Sequence, residues 1–157
     1  MNGDDSAALI SVTDSTFTNN DGAWGAITID AGGVNLLRVR MEGNDTENDG
    51  AAVWAGEFVT VAHSTFIDNS AGRGGAIYSD GDTSIDSSTF RLNSSDSEGG
   101  AVDLSACDSF EITDSVFDRN TAGDSGGAVN NDCNDGVSGI RSEEHTSELQ
   151  SRQYLVC

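Results

Sequence analysis

The chain predicts an all-β fold, a right-handed parallel β-helix (solenoid) of about five coils of 24–27 residues, with three short strands per coil. Three observations point there. A bulky apolar residue followed three positions later by Asn recurs five times at near-constant spacing. Apolar residues alternate with a period of two ahead of each signature, and a small-Ala-Ile/Val triplet follows each one.

The signature pairs are Phe17/Asn20, Met41/Asn44, Phe66/Asn69, Phe90/Asn93 and Phe117/Asn120, with anchors 24, 25, 24 and 27 residues apart. Ahead of the anchors stand Val12, Leu36, Val61, Ile85 and Ile112, and two residues earlier Ile10, Val34, Val59, Thr83 and Phe110. Side chains two apart share one face of a strand, so this spacing reads as strand and not helix. The triplets are Gly25-Ala26-Ile27, Ala51-Ala52-Val53, Gly75-Ala76-Ile77, Gly100-Ala101-Val102 and Gly127-Ala128-Val129. Turn residues such as Asp80-Gly81-Asp82 separate the segments.

A unit of this size cannot bury its own apolar residues, and stacking removes the difficulty. Each strand would pair in parallel with its counterpart about 4.8 Å along the axis. Equivalent side chains would then form columns inside a tube. Parallel crossovers are right-handed in nearly all cases, which sets the expected hand. Within the tube the Asn column has a physical reason: stacked Asn side chains can bond one another and the turn backbone, and Asn tolerates left-handed turns. A leucine-rich repeat needs several Leu per unit, and only five precede residue 141.

From Arg141 the composition changes. The last 17 residues, RSEEHTSELQSRQYLVC, contain no Gly, Asp or Asn, unlike the repeats. They resemble the translation of a common short-read sequencing adapter. The expected division is therefore a β-helix repeat fragment over 1–140 and a non-native tail over 141–157, disordered or loosely packed, leaving His145 and Cys157 without functional weight. Met1 opens directly into repeat-like sequence with no leader pattern, which suggests a piece of a longer protein.

Twenty-seven acidic residues against seven Arg and no Lys give a formal net charge of -20. Such a field disfavours nucleic acid and anionic membrane surfaces as partners. No apolar run is long enough to span a bilayer, so this segment is expected not to insert in a membrane.

The segments Ser64 to Tyr78 (STFIDNSAGRGGAIY), Ser87 to Val102 and Asp114 to Val129 resemble the repeats of polymorphic outer membrane proteins and of other secreted β-helix proteins. The likeness covers roughly residues 9 to 132, with Met41 and Ala51 departing from the pattern. It implies a passenger outside the cell, associated with the outer membrane in the parent protein, with a structural and adhesive role. Its partners would be cell-surface glycans or proteins and the parent's flanking coils.

Few residues suggest chemistry. Cys107 and Cys133 lie at nearly the same place on successive coils and could form a disulfide or remain two thiols. Asp14 and Asp114 share a repeat position, but Arg38, His63 and Ser87 interrupt it. His63 has no partner set for a triad or a metal, and Gly74-Gly75 and Gly99-Gly100 lack the Lys-Ser/Thr of a phosphate loop. Asn44 and Asn93 head formal glycosylation sequons but belong to the Asn column. Thr16, Thr65 and Thr89 share a column broken by Arg40 and Val116, while Trp24 and Trp54 could stack on sugars or cover a turn. No catalytic residue and no cofactor are expected, Ca2+ being the one ion the acidic composition would suit. The alternative is a partial or non-catalytic piece of a β-helix polysaccharide lyase or glycoside hydrolase. Three or more carboxylates and an Arg gathered on one face beside a long loop would favour that alternative.

Overall fold

A computed structural model describes residues 8–133 and the backbone of 138–141. The tail from residue 142, with His145 and Cys157, lies outside the described residues. One backbone ladder extends to Arg141, a residue beyond the boundary expected at 140.

The chain winds through parallel sheets in which every strand pairs with its equivalent one coil away. The first sheet holds Ala8–Thr13, Gly32–Leu37, Phe58–Ala62, Asp82–Asp86, Phe110–Thr113 and Ser138–Arg141, in that spatial order. The second holds Thr16–Thr18, Arg40–Glu42, Thr65–Ile67, Thr89–Arg91 and Val116–Asp118. The third holds Ile27–Ile29, Val53–Ala55, Ile77–Ser79, Val102–Ser105 and Val129–Asp132. A fourth, narrow ladder of Ser70–Ala71, Ser94–Ser95 and Thr121–Ala122 follows the Asn column. Single bridges carry it back through Asp45 to Asp21. The repeat pattern predicts three strands per coil and carries no sign of this fourth one.

Register follows the apolar columns. Val34, Val59, Thr83 and Phe110 are consecutive partners, as are Leu36, Val61, Ile85 and Ile112. A slip of one residue would turn these inward chains to solvent, so burial of one face fixes the pairing. Val34, Val59, Val61, Ile77, Ile85 and Val102 are all fully buried, in one continuous cluster. In the second sheet the anchors stack as Phe17, Met41, Phe66, Phe90 and Phe117. The rings of Phe66 and Phe90 lie 4.6 Å apart, and those of Phe90 and Phe117 lie 4.8 Å apart, both nearly parallel.

Two corners of each coil share one design. At the first, Asp14, Arg38, His63, Ser87 and Asp114 adopt φ between 45° and 53°. At the second, Asn19, Gly43, Asp68, Leu92 and Arg119 adopt φ between 52° and 61°. At Ser64, Ser88 and Ser115 of the first corner, and throughout the second, the residue after the bend turns its side chain to a neighbouring coil. At the second corner that residue is the ladder Asn. The left-handed conformation expected of the Asn column therefore belongs to the residue before it. The Asn side chain is committed to the neighbouring coil, so the preceding residue absorbs the bend.

Asn69 shows the pattern: its Nδ2 donates to Asn93 Oδ1 at 2.8 Å and to the Met41 carbonyl at 3.1 Å. Its Oδ1 accepts from the Asn44 backbone N–H at 3.1 Å and from Asn44 Nδ2 at 2.8 Å. Equivalent side-chain bonds join Asn20 to Asn44 and Asn93 to Asn120. At the first corner a serine does similar work. Ser88 Oγ accepts from the Ser64 N–H at 3.1 Å and donates to the Asp86 carbonyl at 2.7 Å, and Ser64 and Ser115 repeat this with their neighbours. Both ladders satisfy buried backbone groups that the strand pairing leaves over.

Candidate functional site

The outward column of the third sheet runs Thr28, Trp54, Tyr78, Asp103, Asn130. Beside it, in the turns entering the same sheet, stand Asp49, Arg73 and Glu98. Gly50, Gly74 and Gly99, all with positive φ, hold these neighbours close. Gly74 takes φ 56°, and a Cβ there would run into the Ile77 carbonyl.

Arg73 is the hub. Its Nε lies 3.0 Å from Asp103 Oδ2 and 4.0 Å from Asp49 Oδ1, and its guanidinium sits 4.6 Å from the Tyr78 ring centroid. The other Asp103 oxygen accepts from Asn130 Nδ2 at 3.0 Å, and that amide also reaches Asp132 at 3.2 Å. Tyr78 donates its hydroxyl to Asp80 at 2.8 Å. Its ring lies parallel to the Trp54 ring with centroids 6.3 Å apart.

Asp103 is only 1% exposed. Burial pushes its carboxyl above the usual carboxylate range, against the opposing pull of Asn130 and Arg73. Burial likewise raises the carboxyl of half-buried Asp49 and the phenol of Tyr78.

Glu98, Asp103 and Asp132 bring one carboxylate oxygen each within 4.8 Å of the others, a spacing at which three acids can meet one cation. The donor set fits Ca2+ poorly. That ion needs six to eight oxygen ligands, whereas both Asp103 oxygens are already engaged and one faces a guanidinium. The sequence did not single out this acid group, because Glu98 and Asp103 occupy different positions of one coil and Asp132 a third position on the next. Superposing the repeats exposes only the outward place of Asp103. The group lies near a widened turn between the third and first sheets, where Val102 to Phe110 spans eight residues against six from Ile77 to Thr83.

Cys107, in that turn, pairs with Cys133 as a disulfide with a Cα–Cα distance of 4.6 Å. The remaining candidates are dispersed. Asp14 lies 2.6 Å from Arg38 in an exposed ion pair, and Arg38 holds its carboxyl below the usual range. Asp114 and His63 are exposed corner residues. Asn44 and Asn93 are fully buried, which closes both sequons in the folded chain. Thr16, Arg40, Thr65, Thr89 and Val116 follow one another up the second sheet, so no unbroken threonine face forms. Trp24 is 59% exposed and Trp54 half-buried.

A family model described as "Right handed beta helix region" matches residues 1–149. No curated protein and no solved structure matches the chain. With the stacked parallel coils and the match over nearly its whole length, the chain belongs to the right-handed β-helix family.

Proposed function

We propose that this β-helix is a rigid segment of an extracellular or cell-surface protein, with a structural and adhesive role of the passenger type. Coils buried on both sides, tied by Phe, Asn and Ser columns, suit a stalk that holds its surface in fixed geometry. A disulfide between successive coils suits an oxidising compartment. The charge of -20 favours glycans or proteins as partners over nucleic acid.

The observation that carries the non-catalytic reading is the state of Asp103. A general acid must touch the bond it protonates. Asp103 is buried, with one oxygen on Arg73 and the other on Asn130.

A carbohydrate-active enzyme is the second reading. It draws support from the gathering of Asp49, Glu98, Asp103 and Asp132 around Arg73 beside the widened turn. One experiment separates the two. Protein coupled to beads is offered surfaces coated with glycans or matrix proteins, and free protein is incubated with soluble polysaccharides. Saturable attachment without new reducing ends or unsaturated products is the expected result. Chain cleavage that disappears in Asp103→Asn would overturn it.

A further inference from the structure

The geometry points to a binding site for one ring of a neutral saccharide on the face of Trp54 that looks toward Thr28. This deepens the adhesive reading and rests on it.

The third sheet builds a short stack along the helix axis. Arg73 covers Tyr78 at 4.6 Å, and Tyr78 lies parallel to Trp54, inclined by 4°. At Trp54 the stack ends. Its partner on the other side is Thr28, whose side chain is far shorter than an indole. Beyond the Thr28 methyl the half-buried indole has no ring paired with it among the described residues. Aromatic faces carry partial negative charge and attract positively polarised C–H groups, which the flat side of a pyranose presents.

The polar surroundings define the rest of the ligand. Asp49 precedes Trp54 by five residues, as Arg73 precedes Tyr78, and the two turns are bonded through Gly50 N–H and the Arg73 carbonyl at 2.9 Å. Asp49 is turned toward the next coil, with Oδ1 4.0 Å from Arg73 Nε, and leaves the Thr28 side of the indole free of its charge. Thr28 Oγ1, which donates to the Gly25 carbonyl at 3.3 Å, keeps its lone pairs for a hydroxyl donor. Arg73 is already engaged by Asp49 and Asp103. With the net charge of -20, uronate and sulfated sugars are repelled and neutral ones are not.

The test uses the intrinsic fluorescence of the full chain, whose two tryptophans are Trp24 and Trp54. Trp24→Phe makes Trp54 the sole reporter. The probes are neutral hexasaccharides of β-1,4-linked glucose, β-1,4-linked galactose and β-1,4-linked mannose, with a polygalacturonate hexasaccharide as the anionic probe. Saturable change is expected with at least one neutral probe and none with the anionic one. Thr28→Tyr places a ring on the open indole face, so it should abolish binding while preserving thermal stability.

Three outcomes overturn the inference: no response to any neutral probe up to about 10 mM, undiminished binding in Thr28→Tyr, or preference for the anionic probe. Should bead attachment persist while every sugar fails, the adhesive reading stands and this site alone is lost.

Discussion

Asn69 lies in the middle of the Asn column, and its replacement by Ala measures what the column contributes. The change removes four hydrogen bonds: two donated to Asn93 and Met41, and two accepted from Asn44. Some of the partners keep other bonds. Asn44 Nδ2 still reaches the Phe17 carbonyl, and Asn93 Oδ1 still accepts from the backbone N–H of residue 69. The buried Asn44 backbone N–H and the Met41 carbonyl each lose a partner, and an unsatisfied buried group costs about 1–3 kcal/mol. Asn69→Ala should therefore destabilise the protein by about 3–5 kcal/mol, including the small void left behind. Asn20→Ala provides the internal control. That residue is exposed at the first coil and, among the described residues, gives its bonds only to Asn44, so the same change there should cost under about 1 kcal/mol. Urea unfolding at a fixed pH, with equal m-values for both variants, reads the difference directly. Equal losses for the two substitutions would refute the idea that side-chain bonds between coils carry the stability.

Four further predictions follow from single positions. Ser95 places a buried hydroxyl between Ala71 and Ala122 with no partner among the described residues, so Ser95→Ala should stabilise by about 1 kcal/mol; a loss of stability in thermal melts would contradict this. Leu92 holds φ 56° with 41% exposure, and Leu92→Asn should raise Tm by about 2–4 °C, since Asn tolerates that conformation and little burial is lost. The Cys107–Cys133 link spans 26 residues, so reducing it should cost about 3–4 kcal/mol by loop entropy, measured by melts with and without reductant. Asp103 and Asp49 have carboxyls raised by burial, so the stability they contribute is complete below the unfolded value of about 3.9 and is lost as pH rises through their higher folded values. Tm should thus fall as pH rises from 4 toward 7, less steeply in Asp103→Asn; parallel pH profiles would contradict the assignment.

The columns were legible because stacking makes the repeat additive. Phe66, Phe90 and Phe117 mark the same inward position on successive coils, and Val61, Ile85 and Ile112 keep a fixed distance from them. Other features left no shared residue type to read. The left-handed corner is filled by Asn19, Gly43, Asp68, Leu92 and Arg119, because backbone position and not side chain decides that conformation. The narrow fourth ladder runs through Asp45, Ser70, Ser94 and Thr121, and two-residue strands of small side chains carry no periodic signal. The Arg73–Asp103–Asn130 network is assembled from three coils and two columns, each coil contributing a different residue type. No single repeat contains it. The serine ladder did leave a trace, in the Ser that precedes Thr-Phe at Ser64 and Ser88, but its role becomes apparent only when the corner backbone is in view.

The central claim is that each strand pairs in parallel with its equivalent one full coil away. Backbone nuclear Overhauser contacts in isotope-labelled protein test it most directly. The fold predicts an unbroken series linking Val34 to Val59, Val59 to Thr83 and Thr83 to Phe110, with matching links between Asn44, Asn69, Asn93 and Asn120. Contacts between neighbouring strands of the same repeat, in antiparallel hairpin order, would contradict it.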